Sequence, residues 1–214
     1  MQTVNTYSGG ALVFLLLLTP PMEADAQIIG GRIGVTLLED MTKMTGGAYV
    51  AFPLDGWFSL QPELLYSPKG MSWYLRPHPA VDPNSGQSVY VDEYLYQEYG
   101  YLEVPLLATM DVPLTSKLGL SVAAGPSASL RVHCALKRRS VLVSFTGEEV
   151  SDTTEVLEGG CDKRTSTNLG FVLGGGAGFG SDRLKFTVDL RHSIDFGQMK
   201  NHVFTATIGV GLRR

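Results

Sequence analysis

No uninterrupted apolar run in this 214-residue chain is longer than ALVFLLLL, Ala11–Leu18. A spanning helix needs roughly 20 apolar residues, so no transmembrane helix is expected. No stretch carries the 3.6-residue apolar period of an amphipathic helix either, which argues against a helical domain. Cys-x-x-Cys is absent, and His78, His133 and His202 are scattered among different segments at no metal-ligand spacing. Neither a metal nor any other cofactor is therefore expected. A formal charge of −4 leaves no basic footprint for nucleic acid.

What is present begins with an export signal. ALVFLLLL is followed by prolines and by the small-x-small tripeptide Ala24-Asp25-Ala26, the pattern that signal peptidase cleaves; the n-region, MQTVNTYSGG, carries no Lys or Arg. Residues 1–26 read as a signal peptide and 27–214 as one domain. Removing residues 1–26 takes away Glu23 and Asp25 and no base, so the formal charge changes from −4 to −2. In an exported chain an even cysteine count favours a disulfide, here between Cys134 and Cys161, the two cysteines present.

From Gln27 onward apolar residues alternate with polar or small ones, the period of two that marks strands. In LKFTVDLRHS, Leu184, Phe186, Val188 and Leu190 share one face, while Lys185, Thr187, Asp189, Arg191 and Ser193 share the other. Eight such segments fall near 27–38, 46–53, 57–69, 98–111, 117–134, 167–180, 183–194 and 202–212. Their connections alternate between tight turns, at 53–56, 112–116 and 181–182, and longer excursions, above all 70–97 and 135–166. Eight antiparallel strands joined in this way describe an up-and-down barrel, and two kinds compete: a transmembrane barrel and a soluble lipocalin.

The face opposite the apolar one decides between them. It is dominated by Gly, Ala and Ser, which suit the narrow lumen of an eight-stranded barrel, whereas a water-exposed exterior would carry many Lys, Glu and Thr. An eight-stranded antiparallel transmembrane β-barrel is therefore expected. Its lumen should hold Arg32, Glu63, Glu103, Arg131, Lys185, Asp189 and Arg191 as a self-neutralising ion-pair network, since buried charges are tolerable only when paired. Such a plug would leave little conductance.

Several stretches resemble a known family in order and spacing: FSLQPELLYSPKG (58–70), YLEVPLLATM (101–110), LSVAAGPSASLRVHC (120–134) and NLGFVLGGGAGFGSDRLKFTVDLRHSID (168–195). The chain is similar over nearly all of its mature length to outer-membrane β-barrel domains of the porin-like or PorT type. That resemblance implies an eight-stranded barrel in the outer membrane of a Gram-negative cell, surrounded by lipid and lipopolysaccharide. It implies no single activity.

The remaining motifs point away from catalysis. His192 and Ser193 are adjacent, so they should face opposite sides of a strand and cannot work as a nucleophile and its base. KRR at 137–139 faces EEVSDTTEVLE at 148–158, which reads as charge pairing within a loop. Tyr66, Tyr99 and Tyr101 are expected in the upper aromatic girdle or rim. Tyr90, Tyr94 and Tyr96 would form a loop binding surface for an envelope or extracellular protein partner. FVLGGGAGFG (171–180) lacks the G-x-G-x-x-G spacing and the following helix of a nucleotide loop; its inward row of glycines should make room for long charged side chains. The expected protein is a monomeric, non-enzymatic outer-membrane barrel for envelope structure, adhesion or partner binding, with a narrow solute channel and a lipid-modifying enzyme as the alternatives.

Overall fold

The structure, a computed structural model, describes residues 27–38, 41–82, 84–157, 166–181, 183–196 and 202–213. The expected signal peptide and Cys161 lie outside these residues. The described chain is all β: β1 (Ile28–Leu38), β2 (Met41–Asp55), β3 (Phe58–Val81), β4 (Ser88–Pro113), β5 (Leu118–Ser144), β6 (Glu149–Leu157), β7 (Thr167–Gly180), β8 (Leu184–Asp195) and β9 (His202–Arg213). Every pairing is antiparallel, and β1 closes on β9 from Ile28↔Arg213 to Leu37↔Phe204. Strands β1–β5 and β7–β9 thus form an eight-stranded ring, while β6 pairs with β5 outside it.

The polarity of the ring is the reverse of a water-soluble protein. Leu190 is 67% exposed and Leu169 65%, with Ile33, Leu120, Leu173, Phe204, Ile208 and Leu212 exposed beside them. Lys69 is 1% exposed and Glu63 3%, and Thr36, Ser129 and Thr207 are buried with them. In water this arrangement would forgo the hydrophobic gain on one face and impose a desolvation cost on the other. In hydrocarbon the same outer face is at home, and the closed ring leaves no open sheet edge. The molecule is a transmembrane β-barrel. Strands β1, β7, β8 and β9, of 11, 14, 12 and 12 residues, match the roughly 9–11 tilted residues that cross a bilayer.

Three strands are far longer, at 24, 26 and 27 residues for β3, β4 and β5. The excursions expected as loops at 70–97 and 135–166 are therefore corrected. The first is a hairpin that continues β3 and β4, and the second extends β5 and adds β6. β2 and β3 pair only as far as Gly46↔Tyr66, while β3 and β4 stay paired out to Val81↔Ser88. The distal halves of β3, β4 and β5 with β6 make a four-stranded sheet that runs past the ring. Beyond Lys69 it adds about 12 residues of β3, or roughly 40 Å at 3.3 Å per residue. Its turns are local: Asp82 accepts hydrogen bonds from the Asn84 and Ser85 amides at 3.0 and 3.2 Å, and Gly147, with φ at 87°, supplies the left-handed backbone that the β5–β6 turn needs.

Candidate functional site: a sealed lumen and an external sheet

The lumen is bridged at mid-height by charges from three strands. Glu63 of β3 accepts hydrogen bonds from Arg191 of β8, Nη1 to Oε2 at 2.6 Å and Nη2 to Oε1 at 3.0 Å. Arg32 of β1 approaches the same carboxylate at 3.2 Å and Asp189 of β8 at 3.6 Å. Gln61 Nε2 also donates to Glu63. Two cations and two anions balance, and the side chains of Glu63, Arg32 and Arg191 are 0, 3 and 6% exposed. Parity builds this cluster, because Glu63, Arg32 and Arg191 all take the inward position of their strands.

The glycines of β7 make the cluster possible. Gly174 stands opposite Arg191 and Gly176 opposite Asp189 in the β7–β8 ladder, and Gly170 stands opposite Asp195. A Cβ on Gly174 would lie 2.9 Å from Arg191 Cγ, one on Gly176 2.6 Å from Asp189 Oδ1, and one on Gly170 3.0 Å from Asp195 Oδ1. Each glycine therefore holds open the space that a charged neighbour fills. What stays empty among Arg32, Glu103, Arg191 and Ser193 is a cavity of about 20 Å³, little more than one water occupies.

A second cluster lies toward the long-strand end. Lys69 Nζ donates to Asp195 Oδ1 and Oδ2 at 2.9 and 2.8 Å and stands 3.6 Å from Glu103. Its ammonium also lies 5.1 Å from the Tyr101 ring centroid, within cation–π range. Of the seven residues expected in one network, Arg32, Glu63, Asp189 and Arg191 come together, and Glu103 joins this second cluster instead. Lys185 sits at the short-turn end, donating to Asp111 at 2.9 Å. Arg131 lies over the Tyr99 ring at 5.4 Å.

The tyrosines need correction. Tyr99 and Tyr101 are 5% and 1% exposed; they face the lumen rather than a lipid girdle, whereas Tyr66 does face outward. Tyr90, Tyr94 and Tyr96 are on a paired strand, not in a loop. Tyr94 stands cross-strand to Tyr74 on β3 and to Arg139 on β5, so these three share a face. Tyr74 and Tyr94 ring centroids are 5.1 Å apart, Tyr94 and Tyr96 are 6.3 Å apart, and Tyr90 meets Phe145 edge-on at 4.7 Å. The result is an aromatic face on the external sheet with Tyr74, Tyr90 and Phe145 exposed.

The basic run 137–139 is tied to acids on the same sheet. Arg139 donates to Asp152 through Nε and Nη2, at 2.9 and 2.6 Å to Oδ1 and Oδ2, Arg138 to Glu155 at 3.1 Å, and Lys137 to Glu98 at 3.1 Å. Lys43 of β2 reaches the same Glu98 at 2.9 Å. Glu98 stands cross-strand to Gly70 and Ala135, whose lack of bulk leaves room for both lysines, and the contact braces the external sheet against the β1–β2 hairpin. The hydrogen bond from Arg139 holds the Asp152 carboxyl below the usual range despite some desolvation, and the same bond pushes the Arg139 guanidinium up.

The adjacent His192 and Ser193 do not meet. His192 is on the outer face, its ring stacked on Phe204 at 4.5 Å and on His202 at 5.4 Å, while Ser193 lines the small internal cavity. Among the described residues no group of three or more His, Cys, Asp or Glu side chains could hold a metal. Sequence reasoning missed Lys69 and Asp195, although each shares the parity of an expected lumen charge, Glu63 and Arg191 respectively. It also missed the His192–His202 contact, which only the β8–β9 register reveals.

Neither a protein-family model nor a curated relative matches the chain. Solved structures align along most of its length. The N-terminal β-barrel domain of Pseudomonas aeruginosa OprF aligns at 12% identity and a TM-score of 0.45, covering 90% of this chain and 100% of that one. Ail, the attachment invasion locus protein of Yersinia pestis, in complex with the heparin analogue sucrose octasulfate, aligns at 9% identity and 0.40, covering 88% and 97%. Neisserial surface protein A aligns at 12% and 0.40, covering 87% and 96%.

Proposed function

We propose that this protein is a non-enzymatic, monomeric integral barrel of a Gram-negative outer membrane, of the porin-like or PorT type, that presents its four-stranded external sheet for adhesion or partner binding. The observation that carries the reading is the combination of a lumen sealed by Glu63 and its arginines with strands that continue roughly 40 Å beyond it. A sealed lumen offers no path for solute, which opposes the narrow-channel alternative, and the opposed His192 and Ser193 oppose a lipid-modifying one. Beyond the ring the chain builds a four-stranded sheet bearing Tyr74, Tyr90, Tyr94 and Tyr96, with Phe145 at its turn. Aromatic residues in such a cluster are what binding hot spots are made from. The proposal includes cleavage of a signal peptide after Ala26, and a Cys134–Cys161 disulfide at the base of the β5–β6 region.

The test is made in cells. The protein should fractionate with the outer membrane and show heat-modifiable gel mobility, and an epitope inserted at Gly147 should bind antibody on intact cells. Replacing Tyr90, Tyr94 and Tyr96 together by serine should leave insertion unchanged and abolish adhesion of the expressing cells. Recovery of a soluble periplasmic form would contradict the reading, as would unchanged adhesion by the serine variant.

A further inference from the structure

The short-turn end of the barrel holds a second feature that the external sheet does not explain. A cavity of about 290 Å³ opens there, lined among others by Trp57, Lys117, Arg183, Lys185 and Arg213. Backbone hydrogen bonds hold Arg213 beside Arg183, and Lys117 beside Gly180, along the rim. Gly180 N donates to Lys117 O at 3.1 Å and Arg213 N donates to Arg183 O at 3.0 Å, so the ends of β5, β7, β8 and β9 form one continuous edge. Lys185 is already matched by Asp111 at 2.9 Å. Among the described residues no ion pair engages Lys117, Arg183 or Arg213. Three like charges around one concavity repel one another and raise the local concentration of anions.

We propose that this cavity binds the phosphate of an anionic phospholipid headgroup from the adjacent leaflet. Two arginines and a lysine suit a phosphate because guanidinium groups donate in a planar fork and an ammonium adds a compact charge. The occupant is a lipid because the rim that carries the bases is also the edge of the apolar outer wall. Leu118 and Phe179, cross-strand neighbours at the ends of β5 and β7, alternate with the inward Gly119 and Gly178 and so stand exposed on the outer wall just behind this rim, where the first acyl methylenes rest when the headgroup folds over the edge. Trp57, exposed at the same rim, has the amphipathic character of a membrane-interface residue. The site is independent of the partner-binding reading and uses it only to say that the leaflet is the periplasmic one.

Trp57 is also the reporter. The chain has two tryptophans, Trp57 and Trp73, so Trp73→Phe leaves a single fluorophore in the cavity wall. The full-length Trp73→Phe protein is placed in phosphatidylcholine nanodiscs, and Trp57 emission is followed as the phosphatidylglycerol fraction rises; a parallel arm adds inorganic phosphate to phosphatidylcholine discs. The expected result is a saturable shift with phosphatidylglycerol. Lys117→Gln, Arg183→Gln and Arg213→Gln together should weaken it by about tenfold or more, the order expected for losing charge-assisted hydrogen bonds to phosphate. Arg138→Gln, on the external sheet, should leave it unchanged, and heat-modifiable mobility verifies that every variant is folded. Equal titration by the triple variant, or no response to phosphatidylglycerol, overturns the site. A response to inorganic phosphate with none to phosphatidylglycerol overturns the lipid as its occupant.

Discussion

Replacing Glu63 by glutamine should be among the most damaging isosteric changes available in this barrel. The carboxylate is fully buried, is held by Arg191 at 2.6 and 3.0 Å, and faces Arg32 at 3.2 Å. Removing its charge leaves two buried guanidinium groups sharing one distant anion, Asp189, which is 3.6 Å from Arg32. Stranding a charge in a buried pair costs about 3–5 kcal/mol. With a urea slope of about 2 kcal/mol per M, the unfolding midpoint in detergent micelles should fall by about 2 M. Asp189→Asn removes the longer and more exposed of the two partners, an ion pair at 3.6 Å that carries no hydrogen bond, and should cost clearly less than Glu63→Gln. Glu63→Gln combined with Arg191→Gln should be less destabilised than the sum of the two single changes, because the second removes a cation that the first stranded. Heat-modifiable mobility gives the same ranking without denaturant. A Glu63→Gln barrel within 1 kcal/mol of the wild type, or no worse than Asp189→Asn, would refute the plug as the element that holds β1, β3 and β8 together.

Other parts of the structure make separate predictions. Gly174→Leu should prevent closure, since its Cβ alone would sit 2.9 Å from Arg191 Cγ and overpacking of this kind costs about 1–3 kcal/mol; normal heat-modifiable folding would contradict the close approach. The Asp152 carboxyl is held below its ordinary value of 3.8, so its contribution to the β5–β6 hairpin is complete above that pH and is lost as pH falls through its lower folded value. Amide exchange in β6 should accelerate only in that acid window, and Asp152→Asn should exchange fast at neutral pH as well. Reducing the proposed Cys134–Cys161 bridge should lower stability by about 3–4 kcal/mol on loop-entropy grounds, and mass spectrometry of the unreduced protein should find no free thiol.

The barrel was legible where each face of a strand has its own chemistry. In β8, Leu184, Val188 and Leu190 meet lipid while Asp189 and Arg191 meet the lumen, so alternation identifies strand and direction together. In the distal halves of β3, β4 and β5 only short apolar rows are covered, Val89 and Val91 among them, and SVYVDEYLYQEYG carries tyrosines and acids on either parity; the contrast that marks a strand weakens, and the segment reads as a loop. β6, EVSDTTEVL, is exposed along nearly all its length and has no buried face to reveal it. Tyrosine adds a further ambiguity, because it suits a lipid interface, a lumen and a binding face alike, which is why Tyr99 and Tyr101 read as girdle residues. The glycines of FVLGGGAGFG were legible as space-makers from parity, but the partner of each came only from the β7–β8 register.

A membrane-spanning ring closed inside by its own charges should pass no ions. Planar-bilayer recording on the purified, folded protein tests it most directly. With insertion established by heat-modifiable mobility, no sustained current steps should be seen. Large, stable, ohmic conductance from each inserted molecule would contradict it.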